Sequence, residues 1–475
     1  MSSGLARVTI SAPQRRVDVA LPEHLPLAEL LPEVLRHAGD GLADDGERHG
    51  GWVLRRTDGA ALSNGQALLP QGVRDGDVLH LVPARAQWPE PEYDDVVEAI
   101  ADGARRRGGA WSAPATRGAS LAGAGALLTV GLVAVLAAGP GAGLGPIAAL
   151  VISVLLALAG VVASRAYGDA AAGAALGGYA VPYAFVGGAL LIASGDPVGV
   201  LAPVRWLGAP EALAGSVAVL LVAVLGAVGV AAGLRVFAAG ATVGLLGAAT
   251  ALAGFALSAG GAAAILLSVL VCGIGVLPLL AIRFGKLPMP PITLPAGTDG
   301  TEGFTAAGGP LDGARERPER ERVFAAVART EELLTGMLIG HAVLATVGVG
   351  LLVLAGGFAG RLLVAVAAAA LLLRSRLFVT FRQRLPLVVA GILGFVVLGL
   401  ALVTGAGTDT LLVLVGTALV SALVTVAAGA TYAYRTPSPY LGRAADLVDT
   451  LMVVSVVPVA CAVLGLYAQV RGLLG

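Results

Sequence analysis

The sequence predicts a small N-terminal α+β domain followed by an all-α polytopic membrane domain of about eleven transmembrane helices. Three observations carry this reading. Of the 475 residues, 57% are hydrophobic and 13% charged, against a charged share of about 25% in soluble proteins. The charged side chains crowd residues 1–117 and 283–334 and nearly vanish between them, so charge marks the wet parts of the chain. Elsewhere the apolar runs reach the roughly 20 residues that a helix needs to cross the hydrocarbon core.

The head is read first. Leu5 to Ser11 and Arg16 to Leu21 alternate apolar and polar residues, as half-buried strands do, and Ala12-Pro13-Gln14 supplies the turn of a hairpin. Leu27, Leu30, Leu31, Val34 and Leu35 recur at helical spacing, and Gly39 stops that helix. Trp52-Val53-Leu54 and Val78-Leu79-His80-Leu81-Val82 form two further strands across a turn-rich stretch with Asp58-Gly59 and Asn64-Gly65. The order hairpin, helix, strands suits a β-grasp domain, and the segment 61–82 resembles the closing part of ubiquitin-like domains. A conjugated modifier of that class ends in a free diglycine, whereas Pro83-Ala84-Arg85-Ala86 runs on into more protein. Docking is therefore the expected role.

The expected domains are a cytoplasmic ubiquitin-like domain over 1–84, a linker and juxtamembrane helix over 85–117, and a transmembrane domain over 118–475. Trp88-Pro89-Glu90-Pro91 opens the linker, and Asp94 to Arg107 forms a short charged helix. Spans are placed near 119–139, 144–164, 170–194, 212–232, 236–257, 260–282, 335–356, 358–373, 385–404, 410–431 and 448–469. The eighth is short and begins near Arg361. Between the sixth and seventh lies a long loop, 283–334. Met1 to Asp18 contains Arg7, Arg15 and Arg16 and lacks the apolar core of a signal peptide, so the head is expected to stay on the side where it was made.

Lys and Arg gather on the cytoplasmic side of membrane proteins. With the N-terminus inside, 19 basic residues from Arg105 onward fall in the cytoplasm, among them Arg165, Arg235, Arg374, Arg376 and those of the long loop. Only Arg205, Arg361 and Arg471 fall outside. A wrong count of spans would scramble this alternation. The expected location is thus the inner membrane, with the N-terminus cytoplasmic and the C-terminus extracytoplasmic.

Few residues in the spans carry chemistry. His341 lies well inside one, while Asp169, Asp446 and Asp449 lie at span ends. Ionisable groups at membrane depth are the usual pointer to a solute or proton path, and one histidine makes a thin relay. Pro182, Pro278 and Pro458 interrupt helices, as in transporter sites, but no matched pair of broken segments is seen. Small-xxx-small pairs at Gly173/Gly177, Gly229/Gly233, Gly240/Gly244, Gly336/Gly340 and Gly356/Gly360 allow close helix approach. Cys272 and Cys461 sit in apolar runs and read as packing residues. His24, His37, His49, His80 and His341 lack metal-ligand spacing, and a net charge of zero argues against a nucleic-acid partner. Nucleotide-binding and hydrolase motifs are missing, so neither catalytic residues nor a cofactor or metal is expected.

Three local stretches complete the layout. They are Arg283-Phe284-Gly285-Lys286-Leu287-Pro288-Met289-Pro290 after span six, Arg374-Ser375-Arg376 with Arg384-Leu385-Pro386 between spans eight and nine, and Ser438-Pro439-Tyr440-Leu441-Gly442-Arg443 with Asp446 before span eleven. With the head, the charged linker and the loop after span six, the chain resembles EccD, the multi-spanning membrane component of type VII secretion systems in actinobacteria and their relatives. The resemblance implies a structural subunit of a secretion pore complex, not an enzyme. It implies pairing with another copy of itself as a dimer, packing beside EccB-like and, where present, EccE-like subunits, and contact of the head and cytoplasmic loops with an EccC-like ATPase. Membrane lipid is the remaining partner. The run Arg315-Glu316-Arg317-Pro318-Glu319-Arg320-Glu321-Arg322 makes Arg315, Arg317, Arg320 and Arg322 candidate partner contacts by charge complementarity. The alternative is a secondary transporter or channel with a regulatory cytoplasmic head.

Overall fold

The computed structural model describes residues 4–13, 15–39, 41–84, 111–141, 143–196, 199, 204–286, 320–434 and 438–474. The linker over 85–110, with the helix expected from Asp94 to Arg107, and most of the loop after span six lie outside them. The chain divides into two compact units, Met1–Ser112 and Ala113–Gly475.

In the first unit the alternating segments form the expected hairpin. Strand β1 (Leu5–Ser11) pairs antiparallel with β2 (Arg16–Pro22), with Val8 opposite Val19. Ala6, Val8 and Ile10 point to one face and are buried, the period-two pattern of a half-covered strand. The Ala12 amide donates to the Arg15 carbonyl to close the turn, whose Gln14 lies outside the described residues. Helix α1 (Leu27–Ala38) buries Leu27, Leu30, Val34 and Ala38 along one stripe. Strand β4 (Val78–Pro83) then runs parallel to β1 and antiparallel to β3 (Trp52–Arg56), giving the sheet order β2-β1-β4-β3. This mixed sheet over one helix is the ubiquitin-like arrangement.

A second helix, α2 (Leu42–His49), was not expected from the sequence. Its residues LADDGERH are mostly polar and include a helix-weakening glycine. Tertiary contact holds it: the Trp52 indole N–H donates to the Leu42 carbonyl at 2.7 Å, in a buried position. A Cβ at Gly46 would come within 3.1 Å of that indole, so a larger residue there would push the ring back by a few tenths of an ångström. The long return from β3 to β4 is laced by one side chain. The Gln71 amide N–H group donates to the carbonyls of Ser63, Gln66 and Ala67, and its Oε1 accepts from the Ser63 amide at 2.6 Å.

The second unit is helical. In order it contains α3 (Ala113–Ala138), α4 (Gly145–Arg165), α5 (Ala170–Ile192), α6 (Ala209–Gly229), α7 (Leu234–Ala253), α8 (Ala259–Gly273), α9 (Leu277–Gly285), α10 (Arg320–Ala355), α11 (Phe358–Arg374), α12 (Phe381–Thr404), α13 (Thr408–Tyr434), α14 (Pro439–Val463) and α15 (Leu466–Leu474). Among the described residues eleven helical stretches are long and apolar enough to cross a membrane, with α8 and α9 joined as one. Of the three prolines singled out, only Pro278 sits at a break. It opens α9 after a 3-10 turn at Ile274–Val276, while Pro182 and Pro458 lie within continuous helices.

Two boundaries differ from expectation. Helix α10 begins at Arg320, well before the expected start at 335, because its first turns pack on α9: Thr330 lies against Gly285, where a Cβ would collide with it. The stretch 320–334 is therefore helix and not loop. The last span begins at Pro439 and not at 448. Ser438 caps it by accepting from the Leu441 amide, Pro439 takes the first position where a missing N–H costs nothing, and Gly465 in the left-handed region ends it before α15.

Helix packing uses the small residues within the chain. A Cβ at Gly173 would lie 2.7 Å from that of Ser164, and one at Gly177 would lie 2.6 Å from the Phe237 ring. At Gly244 it would meet the Leu220 amide nitrogen at 2.6 Å, and at Gly340 the Ala239 carbonyl at 2.8 Å. These glycines join α4 to α5, α5 to α7, α6 to α7 and α7 to α10, and Gly336 presses on the Arg235 carbonyl. Gly356 instead has φ 77° and open space around it, so that pair serves a turn. The main core gathers Leu267, Leu270, Leu338, Leu352 and Leu363 from α8, α10 and α11, with Ile274 of the 3-10 turn. By contrast, the hydrophobic windows of α3 and α13 contain no buried residue.

Candidate functional site

The chemistry-bearing residues of the helical unit gather where even-numbered spans end and odd-numbered ones begin. Asp169, which precedes α5, caps it by accepting from the Ala172 amide at 2.8 Å and also pairs with Arg117 of α3. Arg165 at the end of α4 donates from Nε to the Gly229 carbonyl at 2.7 Å and from Nη2 to that of Val228 at 2.9 Å. It thereby satisfies the last carbonyls of α6, which have no intrahelical donor, and places a cation at the negative end of that helix. The Glu332 carboxylate of α10 accepts from the Arg235 amide at the start of α7, at 3.1 Å.

The sequence stretches Arg374-Ser375-Arg376 and Ser438 to Asp449 meet at the same rim. Arg374 Nε lies 3.7 Å from Asp449 Oδ1, and Arg376 Nη1 lies 3.5 Å from Asp446 Oδ1. The two pairs differ in environment. Arg374 and Asp449 are 15% and 24% exposed, while Asp446 is 76% exposed. Arg374 Nε and Asp449 Oδ1 are both shielded from solvent and make no hydrogen bond among the described residues, so each relies on the other's charge. Asp446 and Asp449, three residues apart, lie within one helical turn of α14, and a double clasp to Arg374 at the end of α11 and to Arg376 in the 3-10 turn Ser375–Leu377 follows.

The remaining candidates behave differently. His341 is buried in α10 and its Nδ1 lies 3.0 Å from the Met337 carbonyl of its own helix. No cluster of metal-ligating side chains occurs among the described residues. Arg315 and Arg317 lie outside the described residues; Arg320 opens α10, and Arg322 is exposed in its first turn. The structure thus brings together Arg374, Arg376, Asp446 and Asp449. In the sequence these arginines orient the spans and, with Asp446, mark two of the stretches that carry the resemblance, but their pairing with Asp446 and Asp449 has no local pattern. Arg165 and Glu332 as helix-end ligands had no such signal, since their partners are backbone groups.

Comparison with known proteins matches residues 116–473 to the EccD-like transmembrane domain and residues 5–81 to protein YukD of the WXG100 protein secretion system. The ESX-4 secretion system protein eccD4 of Mycobacterium tuberculosis is 40% identical over 98 residues, 21% of this chain and 21% of that protein. The ESX-3 secretion system protein EccD3 of the same organism is 38% identical over 106 residues, 21% of this chain and 22% of that protein. These alignments span about a fifth of the length of the curated relatives. Among solved structures, protomer 1 of the ESX-3 core complex covers 98% of this chain over its whole length, with 22% identity and a TM-score of 0.56. A chain of the MycP5-free ESX-5 inner membrane complex covers 91% of this chain over its whole length, at 18% identity and a TM-score of 0.54. Both share the fold.

Proposed function

Because the chain belongs to the EccD family, we propose that it is a structural membrane subunit of a type VII protein secretion complex, forming part of the membrane channel assembly and holding its ATPase through the ubiquitin-like head. The observation that carries this is the match of both units, head and eleven-span region, to type VII secretion families in one chain. Further support comes from how the charges are used. Those at the rim are spent on helix caps and clasps, and His341 bonds its own helix, an economy suited to a fixed wall and not to a solute path or an active site. Helices α3 and α13, without buried residues in their hydrophobic windows, leave faces free for other helices.

The proposed partners are a second copy of this chain, an EccC-like ATPase, and EccB-like and EccE-like subunits. The proposed location is the inner membrane with the clasped rim, the head and the segment between α9 and α10 in the cytoplasm, supported by the arginines that collect at that rim. The C-terminus then lies outside. The protein acts by assembly, without a catalytic site of its own.

Deleting the head while keeping residues 118–475 tests the docking role. Secretion, and recovery of the ATPase with the membrane complex, should both fall while the truncated protein still reaches the membrane. Undiminished secretion would refute the head's role. Solute uptake that persists after loss of the ATPase would favour the transporter reading instead.

A further inference from the structure

Helix α11 carries an arginine near each end, and the two are used differently. Arg374, in its last turn, lies 3.7 Å from Asp449. Arg361, in its first turn, has no such partner: its Nε is shielded from solvent and meets no hydrogen-bond acceptor among the described residues. Buried donors in native proteins are almost always paired, so an orphaned guanidinium nitrogen calls for an acceptor that binds there.

Arg361 brings the only polar side chain to a pocket of about 380 Å³ between the start of α11 and the end of α12, whose other walls are Gly357, Phe358, Leu362, Leu398 and Leu402. A single ordered water needs about 10–15 Å³ and two to four polar partners. This pocket offers far more room and fewer partners. A Cβ at Gly405 would lie 3.9 Å from Arg361 Nη2, so the guanidinium reaches the turn that ends α12. Among the described residues it makes no hydrogen bond to the last carbonyls of that helix, in contrast to Arg165 at the end of α6. Gly357 and Phe358 set the positive end of α11 against the same pocket, which adds to the pull on a negative group.

Depth selects among anions. Helix α11 has 17 residues, about 26 Å at 1.5 Å per residue, against ~30 Å of hydrocarbon. Arg361 follows the first residue of this short span by three positions, so its charge stands where headgroups meet hydrocarbon. A short span draws headgroups inward, and an arginine at that level holds them. Phosphate oxygens surround the protein at this depth, and the planar guanidinium fork matches two of them. Phe358 and Leu362 are 82% and 39% exposed, so the pocket wall continues into apolar surface that faces outward. A soluble anion gains nothing from that surface, whereas a lipid covers it.

We propose that the pocket at Arg361 binds the phosphodiester of a membrane phospholipid, with Phe358, Leu362, Leu398 and Leu402 against its glycerol and first acyl carbons. The site requires α11 to span the membrane and is independent of the chain's role in secretion.

The full chain, reconstituted in vesicles of phosphatidylethanolamine and phosphatidylglycerol, is tested with phosphatidylglycerol bearing a diazirine on its headgroup. After illumination, label should appear on residues 356–362 and 398–405. Arg361→Gln should lower it about tenfold, equivalent to roughly 1.4 kcal/mol of lost affinity, while label on residues 381–384 at the opposite end of α12 stays the same. Arg361→Lys keeps the charge and should lose less. Should Arg361→Gln fail to fold, Leu402→Trp fills the pocket with the arginine in place and is read the same way. In detergent, added phosphatidylglycerol should raise the Tm of the unaltered protein by more than that of Arg361→Gln. Label that stays in Arg361→Gln or Leu402→Trp would overturn the proposal. Displacement of the label by excess inorganic phosphate would show a site for a free anion instead, and a loss of Tm in Arg361→Gln that is equal with and without phospholipid would leave Arg361 as a clamp on α12 alone.

Discussion

The Arg374–Asp449 pair permits a sharp energetic test because a weaker twin sits one turn away. At 3.7 Å and an effective dielectric constant near 20, the two charges attract by about 4.5 kcal/mol before desolvation is counted. The Arg376–Asp446 pair, at 3.5 Å but largely in water, attracts by about 1.2 kcal/mol on the same formula with a dielectric constant of 80. Replacing Asp449 with Asn leaves the half-buried Arg374 without its counter-ion. Fully buried pairs lose about 3–5 kcal/mol when one partner goes, and partial exposure here lowers the expected loss to about 2 kcal/mol. For a unit this large that is a fall in Tm of roughly 4 °C. Asp446→Asn should shift Tm by at most about 1–2 °C, as exposed pairs do. Thermal unfolding of detergent-purified protein, followed by fluorescence-detected size exclusion, measures both. In the double variant Asp449→Asn with Arg374→Gln, much of the loss should return, since no charge is left stranded. If Asp446→Asn costs as much as Asp449→Asn, or if the two substitutions at the inner pair simply add, the burial argument fails.

Gly340→Leu should unfold or strongly destabilise the helical unit, because its Cβ alone would meet the Ala239 carbonyl at 2.8 Å; Gly350→Ala, with open space at the same helix, should be neutral or gain up to about 1 kcal/mol of helix propensity, read in the same unfolding assay. Residues 1–84 expressed alone should give a folded far-UV CD spectrum, and Trp52→Ala should cost that fragment about 3–5 kcal/mol in urea by emptying the sheet face and freeing α2. In a background with Cys272 and Cys461 replaced by Ala, single cysteines at Ser2 and Thr301 should react with a membrane-impermeant maleimide from the same side; labelling from opposite sides contradicts eleven crossings.

The elements legible in the sequence were those whose residues carry a period. The strands of the head announced themselves through alternation, α1 through Leu27, Leu30 and Val34, and the spans through unbroken apolar length. Helix α2 was hidden because its stability comes from the Trp52 contact with Leu42 and from the space at Gly46, both tertiary. The early start of α10 was hidden for a related reason. Residues 320–334 are charged enough to read as loop, and only the close seat of Thr330 against Gly285 shows why they are helical. At the rim, sequence counting identified the arginines as a group yet not their partners. Arg165 meets backbone carbonyls and Arg235 donates its own backbone amide to Glu332, while Arg374 and Arg376 meet carboxylates seventy or more positions away, and neither kind of contact has a local pattern.

The distribution of burial bears on the proposed assembly. In water, an uncovered apolar helix would collapse onto its neighbours, but in lipid the driving force between helices is packing and not hydrophobicity. A span with its backbone hydrogen bonds satisfied internally can therefore stand apart from its own chain at little cost. Helices α3 and α13 use that freedom: their hydrophobic windows bury nothing, whereas half of the corresponding window is buried in α5 and in α11 with its following turn. Tight glycine seams hold α4 to α5, α6 to α7 and α7 to α10, and the inner clasp ties α11 to α14. The result is a densely buried middle flanked in sequence by two spans whose windows bury no residue, of which α3 is tied to α5 through the Tyr179 and Tyr183 hydroxyls and the Arg117–Asp169 pair. A subunit that carried solute would concentrate its polar groups in that middle. This one keeps the middle apolar and places its charge at the rim, which is how a wall that meets other walls is expected to be built.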